Sequence, residues 1–302
     1  MMKERCGAWS RGKLLLGALL AIAAALLAMV WGFAMQNVRR PRLGPPAAFP
    51  DHLFMPFAAR NDQGQTIRAW YASGTPGLGT MLLCHGHGVD HTNLAAMVDF
   101  LRRFGCALLL LDFRAHGASD GEYTSIGLYE WADLRGVLDE ARARGFLATG
   151  TALAAYGRSM GAATLINGAA RLPEIQAFIL ESPFAELRLI GGRDFARLTG
   201  LPDSFLTDVG FHLISWWTGI PYLDNRPVAA TAGFGERPVL LIHDTLDPRA
   251  TRADHDRLKA AIPQARELIV PGASHVQAHQ VASTTFETTV IGFLRDVGFP
   301  LP

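Results

Sequence analysis

Ser159, Asp247 and His275 are residues whose types and order in the chain can do chemistry together. Ser159 lies in Gly157-Arg158-Ser159-Met160-Gly161, a G-x-S-x-G pattern. A serine hydroxyl is a weak nucleophile near neutral pH. It needs a base, and the base needs an acid to orient it. Asp247, in Asp244-Thr245-Leu246-Asp247-Pro248, and His275, in Pro271-Gly272-Ala273-Ser274-His275, supply both in the chain order serine, acid, histidine. Each has a plainer alternative. Ser159 suits a helix N-cap, Asp247 suits the cap of the helix after it, and a loop histidine is usually a surface residue. Asp244 competes as the acid and His279 as the base. The pentapeptide alone is a weak signal; its setting and the two later residues carry the reading.

That chemistry requires a sharp turn between a strand and a helix. Residues 151–156 are an apolar run that reads as a strand, and residues 162–170 are small and apolar and read as a helix. The two glycines then serve a steric purpose, letting strand and helix approach closely. The helix N-terminus after Ser159 offers backbone N–H groups to an anion. The backbone N–H of Met160 is thus one expected donor to the oxyanion of a tetrahedral intermediate. The other is the N–H of His87, in the glycine-flanked loop His85-Gly86-His87-Gly88. His85, His87 and His91 also invite a metal reading, but no carboxylate or cysteine completes a ligand set at zinc spacing and no H-E-x-x-H occurs.

Around these loops, strand and helix signals alternate. Residues 65–72, 80–84, 107–112, 177–180, 238–243 and 266–270 read as further strands, and 93–104, 128–144, 252–261 and 281–297 as helices. Such alternation predicts a mostly parallel sheet with helices on both faces, its catalytic loops at the strand C-termini. Residues 182–236 break the rhythm, are rich in Gly, Phe and Trp, and read as an inserted cap. Within that cap Phe211, Trp216 and Trp217 are expected to contact an apolar substrate group, or else to pack the cap's own core.

The first 50 residues differ from the rest. Residues 14–35 form an uncharged apolar run, about 33 Å long as a helix and so able to cross a bilayer. It exceeds the 7–15-residue apolar core of a cleaved signal peptide, and no convincing A-x-A site follows, so an uncleaved single-pass anchor is the reading. Residues 1–13 precede it as a basic segment, and residues 36–50, basic and Pro-rich, read as a tether to a domain spanning 51–302. Lys3, Arg5, Arg11 and Lys13 stand before the run and Arg39, Arg40 and Arg42 after it. This small difference leans the N-terminus to the cytoplasm and the domain outside, without deciding the side. The net charge of +1, with charges interspersed, argues against a nucleic-acid partner. Of the three cysteines, Cys84 and Cys106 sit in apolar runs, and no disulfide framework or C-x-x-C spacing appears.

These motifs together resemble the α/β-hydrolase fold family over about residues 51–300. The marks are HGHG at 85–88, DFRAHGASDG at 112–121, GRSMG at 157–161, HDTLDP at 243–248 and GASH at 272–275. Ala115 stands where the family usually has glycine, and Asp244 occupies a glycine position of the acid loop. Within the family the chain is similar to membrane-anchored serine hydrolases with a short cap, the ABHD13-like and bacterial YfhR-like group. The resemblance implies hydrolysis of an ester, thioester or amide through an acyl-enzyme, and no cofactor. Three readings follow: an esterase or thioesterase acting on an acyl, lipid-like small molecule; a serine peptidase on the same fold; and a membrane-anchored binding protein on a hydrolase scaffold. Intact Ser159, Asp247 and His275 weigh against the third. The sequence leaves the oligomeric state open.

Overall fold

The computed structural model describes residues 2–39 and 51–302. Its centre is an eight-stranded sheet in the order β1-β2-β4-β3-β5-β6-β7-β8. The strands are β1 (Met55–Arg60), β2 (Thr66–Ala72), β3 (Thr80–Cys84), β4 (Ala107–Leu111), β5 (Leu153–Arg158), β6 (Ile175–Glu181), β7 (Val239–Asp244) and β8 (Arg266–Val270). β2 is antiparallel to both its neighbours, and every pairing from β4 to β8 is parallel. β3, β4, β5 and β7 are buried along their whole length, as continuous apolar runs covered on both faces should be. β1 carries little strand signal in its sequence, MPFAAR. Its Pro56 and weak alternation hide it, and an edge strand is where a proline is tolerated.

Helices cover both faces of the sheet, which separates two apolar clusters. They are α1 (Met2–Val38), α2 (Ala95–Arg102), α3 (Trp131–Ala143), α4 (Met160–Gly168), α5 (Leu187–Thr199), α6 (Phe205–Thr218), α7 (Pro227–Ala230), α8 (Arg252–Ala261), α9 (Ala278–Val281) and α10 (Ser283–Asp296). Three expected helices are shorter than read, among them 128–144, which is α3 from Trp131 to Ala143. The stretch 93–104 begins as a 3-10 turn capped by Asp90, and the closing stretch divides at Ala282 into α9 and α10. The segment 182–236 contains α5 and α6, each ending at a glycine in the left-handed region, Gly200 and Gly219.

α1 runs beyond the expected 14–35 at both ends, so residues 36–38, read as the start of a tether, are helical; residues 40–50 lie outside the described residues. From Lys13 to Val38 it is long and apolar enough to cross a membrane. Its last turns pack on α6. Trp31 meets Trp217 edge-on at 5.6 Å between ring centres, and Phe33 meets Phe195 at 5.5 Å.

Sheet register aligns the loops that matter. Cys84 of β3 lies opposite Gly157 of β5, Arg158 opposite Glu181 of β6, Glu181 opposite Ile242 of β7, and Asp244 opposite Val270 of β8. The segments that follow these positions therefore emerge side by side at one edge of the sheet.

Candidate active site

Ser159 follows β5 directly, with φ 49° and ψ −112°, a sparsely populated conformation for a residue with a side chain. The flanking glycines are sterically required. A Cβ on Gly161 would lie 2.4 Å from the carbonyl oxygen of Cys84, and one on Gly157 would lie 2.7 Å from the amide of Ala162. The backbone N–H of Ser159 donates to Glu181 O at 2.9 Å, and Ser159 O accepts from Ala163 N–H, so the turn is held at both ends. The Ser159 hydroxyl lies 2.9 Å from His275 Nε2, and His275 Nδ1 lies 2.6 Å from Asp247 Oδ2.

Asp247 is buried and held by more than the histidine. Its Oδ1 accepts the N–H groups of Arg249 at 2.8 Å and Ala250 at 2.9 Å. Burial pushes its pKa up, but the hydrogen bond and charge of His275 and these two amides outweigh that, leaving it below the ordinary carboxylate value. An ionised carboxylate only accepts, so His275 Nδ1 carries the proton and Nε2 is left to accept from the serine. Asp244, three residues earlier, faces the other way. Its Oδ2 accepts the Ser182 hydroxyl at 2.8 Å and Gln277 N–H at 3.3 Å. Burial, then the charges of Glu181 and Asp247, raise its pKa to about 7 despite those hydrogen bonds. His279 is spent elsewhere, 3.0 Å from Glu287.

The loop after β3 is fixed by a residue whose part was not foreseen. Phe113 N–H donates to His85 Nε2 at 3.0 Å, so His85 Nδ1 bears the proton and donates to Gly86 O at 2.7 Å. Burial lowers the pKa of His85, which favours this neutral form. His91 lies 2.8 Å from Asp112 and stacks on Trp70. His87 and Met160 both line the cleft above Ser159. Arg158, the variable residue before the serine, is buried beside Tyr156 and Glu181, donating to Glu181 at 3.0 Å and to Asn93 O at 3.1 Å. Two residues of the DFRAHG stretch are structural. Arg114 is paired with buried Asp133 at 2.8 Å, and Ala115 takes the left-handed conformation (φ 59°) for which the family usually uses glycine.

The cleft over Ser159 spans about 700 Å³ counted together with its open mouth. Its walls are mostly apolar, from α1, α5 and α6, together with Phe184 and Ile126. Phe211 lines it as expected. Trp216 and Trp217 do not, and the expectation that they do is corrected. They are 79% and 55% exposed, and Trp217 is turned towards Trp31 and donates to the Tyr123 hydroxyl at 3.0 Å. The inward stripe of α6 is Thr207, Gly210, Phe211 and Ile214, a helical spacing that leaves positions 216 and 217 outside it. Charge at the cleft is already paired, since Asp194 lies 2.6 Å from Arg249 and 3.2 Å from Arg197.

Comparison with known proteins agrees with this fold. Residues 76–218 match the family described as serine aminopeptidase, S33. An uncharacterized Bacillus subtilis protein, YqkD, is 27% identical over 252 residues, covering 80% of this chain and 79% of that one. An esterase of Pyrococcus furiosus superimposes with a TM-score of 0.70 at 21% identity, over 86% of this chain and all of that one. An enol-lactonase of Burkholderia xenovorans gives 0.58 at 22% identity, over 79% of this chain and all of that one. The fold is the α/β-hydrolase fold.

Proposed function

We propose that this chain, an enzyme of the α/β-hydrolase fold, is a serine hydrolase that cleaves an ester or thioester of an acyl, lipid-like substrate. The observation that carries the reading is the relay Ser159–His275–Asp247, at 2.9 and 2.6 Å, opening into an apolar cleft. In this reading His275 Nε2 takes the Ser159 proton as the hydroxyl oxygen attacks the acyl carbon. Asp247 stays ionised, holds the tautomer and offsets the imidazolium charge. The N–H groups of His87 and Met160 hold the oxyanion. His275 returns the proton to the leaving alcohol or thiol, then takes one from the water that resolves the acyl-enzyme.

The peptidase reading is favoured by the family match over residues 76–218. Against it, an aminopeptidase needs a carboxylate to receive the substrate amine, and Asp194 at the cleft is already paired with two arginines. The apolar first helix suits a single-pass anchor and the ABHD13-like and YfhR-like resemblance.

The test is labelling of detergent-solubilised protein with a fluorophosphonate, wild type beside Ser159→Ala, with hydrolysis of p-nitrophenyl esters and of aminoacyl p-nitroanilides measured in parallel. Labelling lost in the variant, with esters turned over and anilides not, is the expected result. Anilide cleavage exceeding ester cleavage would establish the peptidase instead.

A further inference from the structure

We propose that the last turns of α1 form the wall that decides which acyl chains the site accepts, so that the anchor is itself a specificity-determining part of the active site. The inference rests on the acyl-ester reading above and adds to it an unexpected structural element. α1 changes character along its length. Leu14, Leu20 and Leu27 are exposed, whereas Val30, Ala34 and Val38 are buried to within a few per cent. Val30, Phe33, Ala34, Asn37 and Val38 all line the cleft over Ser159, at the spacing of one helical face. The contact with the cap is close: a Cβ on Gly210 of α6 would lie 3.0 Å from Val30 Cγ1.

The same turns are tied to two loops beside the cleft, those after β3 and β4. His87 Nε2 donates to Asn37 O at 2.7 Å, and Thr124 N–H donates to Val38 O at 3.0 Å. Removing α1 would open the cleft on one side and release the loop expected to supply an oxyanion donor. The length of the helix adds a second argument. About 20 residues fill the hydrocarbon of a bilayer, so a span beginning at Lys13 leaves it near Gly32. The cleft-lining face starts at Val30, at that same depth. In this proposal an acyl tail lies along α1, from the Val30 end next to the membrane towards the turn at Asn37 and Val38 that holds the His87 loop. Ala34, the smallest residue of this face, leaves the space for that tail.

The experiment uses the full chain in phosphatidylcholine nanodiscs and compares kcat/KM for p-nitrophenyl decanoate with that for the acetate. Ala34→Trp fills the wall and is expected to lower the decanoate-to-acetate ratio at least tenfold. Phe33→Ala enlarges it and is expected to shift the best substrate to a longer chain. Leu27→Trp, on the exposed face of the same helix, leaves the ratio unchanged. Labelling by diisopropyl fluorophosphate reports an intact Ser159 in each protein. If both cleft variants label and both keep the wild-type ratio within twofold, the proposal is overturned. If Ala34→Trp fails to label, Phe33→Ala decides alone. If wild type fails to label, the serine-hydrolase reading falls, and this inference with it.

Discussion

The floor of the cleft, made by the segments after β3, β5, β7 and β8, holds its polar groups by backbone contact, while the roof, made by α1, α5 and α6, takes its shape from helices packed on one another. At the floor, Gly161 passes so close to Cys84 that no side chain fits, and His85, Asp247 and Ser159 each have backbone partners within 3.0 Å. At the roof the close approaches are to side chains, Gly191 to Phe211, Gly192 to Asp203 and Gly210 to Val30, and at Gly210 the neighbour is the end of a side chain that can give way. The difference separates two tasks. Chemistry needs atoms fixed to within a few tenths of an ångström, whereas admitting a chain needs only an apolar surface of the right width.

The sharpest break in that contrast is Ser159→Ala. It should reduce turnover about 10⁵-fold or more, with melting temperature near that of wild type. Residual activity near one per cent, measured on the purified variant, would mean that the floor does not work as assigned. Within the floor, Asp247→Asn should cost about 10⁴-fold in kcat. Asp244→Asn should stay within about threefold, since Asp244 faces Ser182 rather than His275; a reversed order in steady-state assays would exchange the two acids.

The same substitution in floor and roof sharpens the comparison further. Gly161→Ala should destabilise by about 3 kcal/mol or more, because Cβ meets a fixed carbonyl. Gly210→Ala should stay within about 1 kcal/mol, the helix propensity gained offsetting a mild contact with Val30. Thermal melting of both variants checks this, and equal losses would erase the distinction.

The smallest expected effect is a pH dependence. Asp244 has a native pKa near 7, above the value of about 3.9 for an unfolded aspartate, so between these pH values the native state holds the extra proton. Its contribution to stability is full below about pH 4 and is lost as pH rises towards 7. Asp244→Asn, which cannot ionise, should therefore raise the melting temperature by a few degrees at pH 8, about 1 kcal/mol for a chain of this size, and by less at pH 5. A shift independent of pH would show that Asp244 does not titrate in this range.

Much of the floor was legible because short local patterns constrain it. Strands 80–84 and 266–270 and the helix 252–261 were read with the bounds the structure has, and the two glycines around Ser159 announce a turn that only glycine permits. Less of the roof was. α5 and α6 carry interior glycines, Gly191, Gly192 and Gly210, which argue against a helix locally. Only the packing of Phe211 and Asp203 beside Gly191 and Gly192 shows why they are there.

By itself the sequence determined the residue types, their chain order and the apolar runs that become strands. These depend on near neighbours and on a side-chain period of two or 3.6 residues. Asp247 was already the acid its chain position favoured over Asp244; tertiary structure alone decided which aromatic residues of α6 turn inward, and that α1 lines the cleft. Each of these is a distance between segments far apart in the chain, and helical periodicity defines a stripe without saying what the stripe will meet.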